Sequence, residues 1–303
     1  NKEPIQDWIE TDETIQGKTI ALDGDTVNGD ALYVQLFRNT EHWQTSLFYR
    51  NISPQYRADV GFVVKNNRRW GTLFHQYQNI INKPGLQSFG FGTKIDVVYT
   101  FEDLYKNFSI DFFAFLKTFG QTELRYTADY DAVKTFLNIR YTNLPTHEFS
   151  ISGSPSESIN FRLNLVAGKD LSVNEMTPEV GVLRSAFLTF GIQVNDNINI
   201  NPSWRYSRLS RINDNSDYFN GSIARLSVRY QFNQAFNIRI ITEKNSFNDQ
   251  FFVQPLIQWN PNPATIFYFG GNQNTSENLE DAHFQILQFN RSQLFVKFQY
   301  LID

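Results

Sequence analysis

The sequence predicts an all-β chain, an up-and-down antiparallel transmembrane β-barrel of about 14 to 16 strands. Such a barrel would either close on itself or form part of a larger one. Three observations point there. Segments of about ten residues alternate between apolar and polar side chains along most of the chain after residue 30. Charges inside those segments avoid the apolar parity. The 29 Phe, 14 Tyr and 5 Trp among 303 residues are a heavy aromatic load for a chain of mean hydropathy -0.40.

The last strand shows the pattern at its clearest. In Gln293–Ile302, Leu294, Val296, Phe298, Tyr300 and Ile302 share one face, opposite Gln293, Lys297 and Gln299. About ten residues is what a tilted strand needs to cross the hydrocarbon layer of a bilayer. Residues 1–29 are polar and aperiodic, with turn signals at Asp23-Gly24-Asp25 and Asn28-Gly29, and read as a connecting arm or loop. Residues 30–303 read as the barrel domain.

Within that domain the apolar rows follow one another. Leu32, Val34 and Leu36 come first, then Trp43, Thr45, Leu47 and Tyr49, then Trp70, Thr72 and Phe74. Two long rows run from Phe89 to Tyr99 and from Phe108 to Leu116. Leu124 and Tyr126 begin the next row, followed by Leu137, Ile139 and Tyr141, and separately by Phe149 and Ile151. Later rows run through 161–165, 186–192, 198–206, 224–232, 236–240, 257–259 and 267–269.

Lys94, Asp96, Asp111, Arg125, Arg140, Arg162, Arg205, Arg225, Arg229, Arg239 and Lys297 lie in mid-strand, each with the parity opposite to its apolar row. Arg38 and Arg184 share the apolar parity, near strand ends. A charge facing lipid at the midplane costs roughly 2–4 kcal/mol and almost nothing at the interface. The distribution suits a lipid-facing surface. A soluble sandwich would also hide one parity, but its strands average about 5–6 residues and need Greek-key crossings.

Connections in the second half of the chain alternate between tight and long. Asn195-Asp-Asn197, Asn233-Gln234 and Asn260-Pro-Asn-Pro263 are turn-like. Residues 168–181, 208–216, 244–249 and 272–289 are longer, as expected of periplasmic turns and extracellular loops. In the first half the alternation breaks down: 39–41 is short where a loop is expected, and 51–67 is long where a turn is expected.

The 303 residues contain no cysteine, which excludes disulfides and thiolate chemistry, and the net charge of -4 speaks against nucleic acid as a partner. His42, His75, His147 and His283 are too scattered for a metal site, and His147-Glu148 lacks the second His of a zincin. Gly153-Ser-Pro-Ser-Glu-Ser158 lacks a nucleophile elbow and reads as a hairpin turn. Gly90-Phe-Gly92 reads as space for bulky neighbours on adjacent strands. The acidic stretches 214–217 and 277–281 lack EF-hand spacing and read as solvated loops. No catalytic residue, metal site or cofactor is expected.

One constellation remains, the row of Arg125, Arg140, Arg162, Arg205, Arg225, Arg229 and Arg239. On neighbouring strands these would form a lumen-facing basic wall favouring anionic solutes or docking a plug. Alternatively they pair with inward Asp96, Asp111, Glu123 and Glu243 and simply fill the interior.

The closing strand resembles the C-terminal signal strand of bacterial outer-membrane barrels. Ile52-Ser-Pro-Gln-Tyr-Arg-Ala-Asp-Val-Gly-Phe62, together with Gly29-Asp-Ala-Leu32, Trp43 and Trp259-Asn-Pro-Asn-Pro263 before the closing strand, carries a further resemblance. It is to the C-terminal barrel region, of unknown function, of outer-membrane proteins with an N-terminal carbohydrate-binding-family-9-like domain. That resemblance implies a bacterial outer-membrane location and lipid as a partner, with the N-terminal part of the same protein or other envelope proteins as further partners. The implied role is a pore, or the membrane anchor of an envelope assembly handling glycans or nutrients. The competing class is a soluble, secreted all-β glycan-binding module; a barrel-embedded hydrolase has no visible catalytic set.

Overall fold

The computed structural model describes residues 29–56, 66–102, 105–137, 139–277 and 287–301. The arm over residues 1–29 therefore lies almost wholly outside the described residues, as do 57–62 of the segment carrying the family resemblance. All regular structure among the described residues is β. The strands are β1 (Ala31–Asn39), β2 (Trp43–Ile52), β3 (Arg68–Lys83), β4 (Leu86–Tyr99) and β5 (Tyr105–Lys117). They continue with β6 (Glu123–Phe136), β7 (Ile139–Ser156), β8 (Ile159–Leu171), β9 (Val180–Asn195) and β10 (Ile198–Arg211). The last five are β11 (Asp217–Gln231), β12 (Phe236–Asn245), β13 (Gln250–Asn262), β14 (Thr265–Glu277) and β15 (Leu287–Tyr300).

These form one 15-stranded sheet in chain order, without a crossover. The topology is thus up-and-down, and the Greek-key sandwich is excluded. The sheet is not closed among the described residues: β1 and β15 are its two edges.

The chain divides into two compact units, one containing residues up to Leu116 with Tyr126–His147, the other Lys117–Arg125 with Glu148 onward. In the first unit, cross-strand register assembles the apolar face row by row. Leu36, Leu47, Leu73 and Ile95 make one row, and Trp43, Tyr77 and Phe91 another. The opposite face carries Gln35, Phe48, Thr72 and Asp96, then Phe37, Ser46, Phe74 and Lys94. The predicted row Trp70, Thr72, Phe74 therefore belongs to the charged face, and the apolar row of β3 runs through Leu73 and Tyr77. Both faces of β3 are aromatic, so periodicity alone cannot choose between them.

Gly90 and Gly92 do make room, as the sequence suggests. A Cβ on Gly90 would stand 2.5 Å from Cζ of Phe115, and one on Gly92 2.7 Å from Cζ of Phe113. The Phe113 ring, nearly fully buried, stacks on Phe74 at 5.8 Å between centroids. Asn67, at positive φ, donates to the Glu102 carboxylate at 3.0 Å and accepts from the Phe101 amide at 2.9 Å. That ties the β2–β3 connection to the one after β4.

Two sequence expectations are corrected at β7. The rows 137–141 and 149–151 are not separate strands: β6 ends at Phe136, Leu137 turns with φ 48°, and β7 runs unbroken for 18 residues. Gly153–Ser156 belongs to that strand, leaving only 157–158 as the turn. With one strand fewer, 53–67 falls in the same alternate set as the long connections of the second half, although 137–138 in that set is shorter than 118–122 in the other. Residues 40–42, 84–85, 118–122, 157–158, 196–197, 232–235 and 263–264 make one set. Residues 53–67, 100–104, 137–138, 172–179, 212–216, 246–249 and 278–286 make the other, which includes the three longest connections.

Three of the tight turns are built by asparagines. Oδ1 of Asn195 accepts from the amides of Asn197 and Ile198, both at 2.9 Å. Oδ1 of Asn233 does the same for Ala235 and Phe236, and Oδ1 of Asn262 for Ala264. An Asx side chain that takes up amides two and three residues on substitutes for the ladder where the chain reverses.

Candidate functional site

In the second unit, register gathers a continuous apolar face across β10–β15 and sets the mid-strand arginines on the other face. Ile198, Tyr230, Ile238, Ile257, Phe269 and Val296 share one row of the apolar face. Phe236, Trp259, Phe267 and Phe298 form the next, with Trp259 5.3 Å and Phe298 5.0 Å from the Phe267 ring centroid. An open groove lined by Phe236, Ile257, Trp259, Phe267, Tyr268, Phe269 and Val296 lies here. It offers aromatic and aliphatic surface and no carboxylate, lysine, arginine or histidine.

The other face carries the arginines. One row reads Arg162, Thr189, Ser203, Arg225 and Glu243 from β8 to β12. Another reads Asn199, Arg229, Arg239 and Leu256 from β10 to β13. Arg205 stands opposite Phe187 on β9 and lays its guanidinium over that ring, 5.3 Å from the centroid. Five of the seven predicted arginines are thus brought to one face of one unit. Arg162 and Arg225 lie three strand spacings apart, about 14 Å. Arg125 on β6 and Arg140 on β7 stand outside this registered block, and both engage neighbours.

The carboxylates expected to neutralise the arginines are mostly committed elsewhere. Asp96 is ion-paired with Lys94 and accepts from Oγ1 of Thr72 and, at 3.1 Å, from Nε1 of Trp70. Glu123 takes Lys117 at 3.3 Å. Asp111 shares a side-chain hydrogen bond with Asp129, and of the four only Glu243 takes an arginine: Nη1 of Arg225 donates to its Oε2 at 3.3 Å. From the Arg205 row to the Asn237 row, this face of β10–β13 carries Arg205, Arg225, Arg229 and Arg239 against the single carboxylate of Glu243.

The sequence reading missed the amides among these cations. Asn199 faces Arg229, while Gln231, Asn237 and Gln258 make the next row along. Their signal was present as Asn and Gln at arginine parity, but only register shows that they converge.

The remaining sequence candidates have ordinary structural partners. His75 stacks on Trp43 at 4.9 Å and shares a 2.9 Å hydrogen bond with Thr45 Oγ1. His42 contacts the Gln78 carbonyl, His147 meets the Tyr126 hydroxyl at 2.8 Å, and His283 lies outside the described residues. Asp214 accepts from the Ser216 amide and hydroxyl, and Asp217 accepts from Nε of Arg208 at 2.7 Å. No group of three or more potential metal ligands occurs among the described residues. The stretch 277–281 lies almost wholly outside them.

No protein-family model matches the chain, and no curated protein matches it. Among solved structures, the crystal structure of a Pseudomonas aeruginosa FadL homologue is similar at 8% identity and a TM-score of 0.28. The match covers 89% of this chain and 75% of that one.

Proposed function

We propose that the chain is a β-barrel domain of the bacterial outer membrane that serves as a pore or as the membrane anchor of an envelope assembly. The observation that carries this reading is the uncovered apolar face of β10–β15. Ile240 is 45% exposed, Trp259 47%, Phe269 51% and Val296 75%, on contiguous register rows free of acidic and basic side chains. A patch of this kind on a soluble monomer would be an aggregation surface; against lipid it is the required surface. The aromatic row through Phe236, Trp259, Phe267 and Phe298 lies beside the tight turns 232–235 and 263–264, where an interfacial girdle belongs. Strands of 13 to 18 residues, as in β7–β9, exceed the 9–11 or so needed to span the hydrocarbon layer.

The opposite face, carrying arginines and amides, would line the interior. A glycan- or nutrient-related role rests on the resemblance of residues 29–62 and 259–302 to barrels that follow a carbohydrate-binding-family-9-like domain. Partners on this reading are the lipid bilayer and the remainder of the envelope assembly.

Membrane fractionation followed by gel migration with and without boiling tests the proposal. The expected result is extraction only by detergent and a shift in mobility on boiling. A chain that leaves the cells without detergent and binds oligosaccharide would instead be the soluble glycan-binding module, and the barrel reading would fall.

A further inference from the structure

The Arg229 and Arg239 side chains stand directly opposite each other on β11 and β12. Cross-strand partners hold their Cβ atoms about 5 Å apart, a spacing at which like charges repel. Neither guanidinium has an ion-pair partner among the described residues, and Nε of Arg239 is buried without a hydrogen bond. The nearest carboxylate on this face, Glu243, is engaged by Arg225 two rows away. Asn199 on β10 completes the row with a side-chain amide.

We propose that this pair is a binding site for an oxyanion, the carboxylate or phosphate group of a solute. Two guanidinium forks side by side offer parallel N–H donors matched to two oxygens of one anion. A bound oxyanion would take up the buried Nε–H and relieve the repulsion at once, which neither water nor chloride does with the same geometry. The backbone hairpin of β11 and β12, closed by Asn233, fixes the two arginines in register before any ligand arrives. The inference rests on the reading that this face borders a water-filled interior, and it narrows the solute of that reading to one carrying an anionic oxygen group.

Equilibrium binding of inorganic phosphate and of acetate to the detergent-purified full chain, with chloride as background, tests this directly. Saturable binding of one of the two anions is expected, weakened at least tenfold in R229Q and R239Q and unchanged in R205Q, on the same face. R239K, which keeps the charge but not the fork, should fall between wild type and R239Q. In the unaltered chain, the bound anion should shield Arg229 and Arg239, but not Arg205, from a dicarbonyl reagent specific for arginine. Absence of saturable binding for both anions, or binding indifferent to R229Q and R239Q, or no shielding, overturns the assignment. Because these measurements need no bilayer, a chain that binds the anion but conducts nothing keeps the site and loses the pore.

Discussion

Arg225 and Glu243 face each other across β11 and β12 as register partners, joined by a 3.3 Å hydrogen bond, and they divide the arginine face in two. Toward the 212–216 end Arg205 is covered by the Phe187 ring; toward the 232–235 end Arg229 and Arg239 lack partners among the described residues. With the Arg225 and Glu243 side chains 47% and 26% exposed, the pair contributes only about 0.2–1 kcal/mol. Its weight is in charge rather than stability. E243Q should leave the folded chain within about 1 kcal/mol of wild type by urea titration in detergent, while making this face more basic.

The charge-reversed variant R225E/R229E should shift ion selectivity toward cations. The readout is the reversal potential in planar bilayers under a salt gradient. Unchanged selectivity would mean that these arginines border no conducting path.

Ile240 lies between Val228 and Pro255 in the middle of an apolar row. Ile240→Lys should cost roughly 2–4 kcal/mol when the chain is refolded into vesicles, as a lipid-facing charge near mid-depth does. Gln258→Lys, on the other face between Asn237 and Tyr268, should cost far less. Equal costs at the two positions would argue against a bilayer.

Gly92→Val would push a side chain against the Phe113 ring and the His75 carbonyl, which the ideal Cβ already approaches to 2.7 and 2.6 Å. Overpacking of this kind costs about 1–3 kcal/mol. Trimming the ring in Gly92→Val/Phe113→Ala should recover part of the loss, so a double-mutant cycle in urea reads the contact directly.

The loop after β10 should respond to acid. Hydrogen bonds from the Ser216 hydroxyl and amide hold Asp214 below the ordinary carboxylate range. A carboxylate with a depressed folded-state pKa adds local stability that is present above its unfolded value, and that stability is lost as pH falls through the folded value. Protease sensitivity at 212–216 should therefore be flat from neutrality to about pH 5 and rise below pH 4. Ser216→Ala should raise it already at neutral pH.

Much of the strand pattern was legible because a half-exposed strand writes its two faces into alternate residues. The rows ending in Leu36, Leu116, Ile192 and Phe232 were read from that alternation alone. β7 was not, since Asn143, Pro145 and His147 interrupt the row between Tyr141 and Phe149 with turn-forming and polar residues. Asn143 even has a positive φ, yet the strand continues through it. β3 was misassigned because Trp70 and Phe74 oppose Leu73 and Tyr77 with equal apolarity. The arginines were legible as a parity, but the meeting of Arg229 with Arg239 depends on how many residues the 232–235 turn takes up. One residue more or less there would have moved one arginine to the other face.

All nine residues of β1 are exposed, and Leu32, Leu36 and Phe37 are among its side chains. Its outer flank presents amide and carbonyl groups that nothing among the described residues meets. Hydrocarbon tolerates no such ragged border, because each unmet peptide group there forfeits several kcal/mol. Wherever β1 is immersed in lipid, that flank must be zipped to further polypeptide. Purified alone in water, the same seam invites the chain to stitch itself to its own copies.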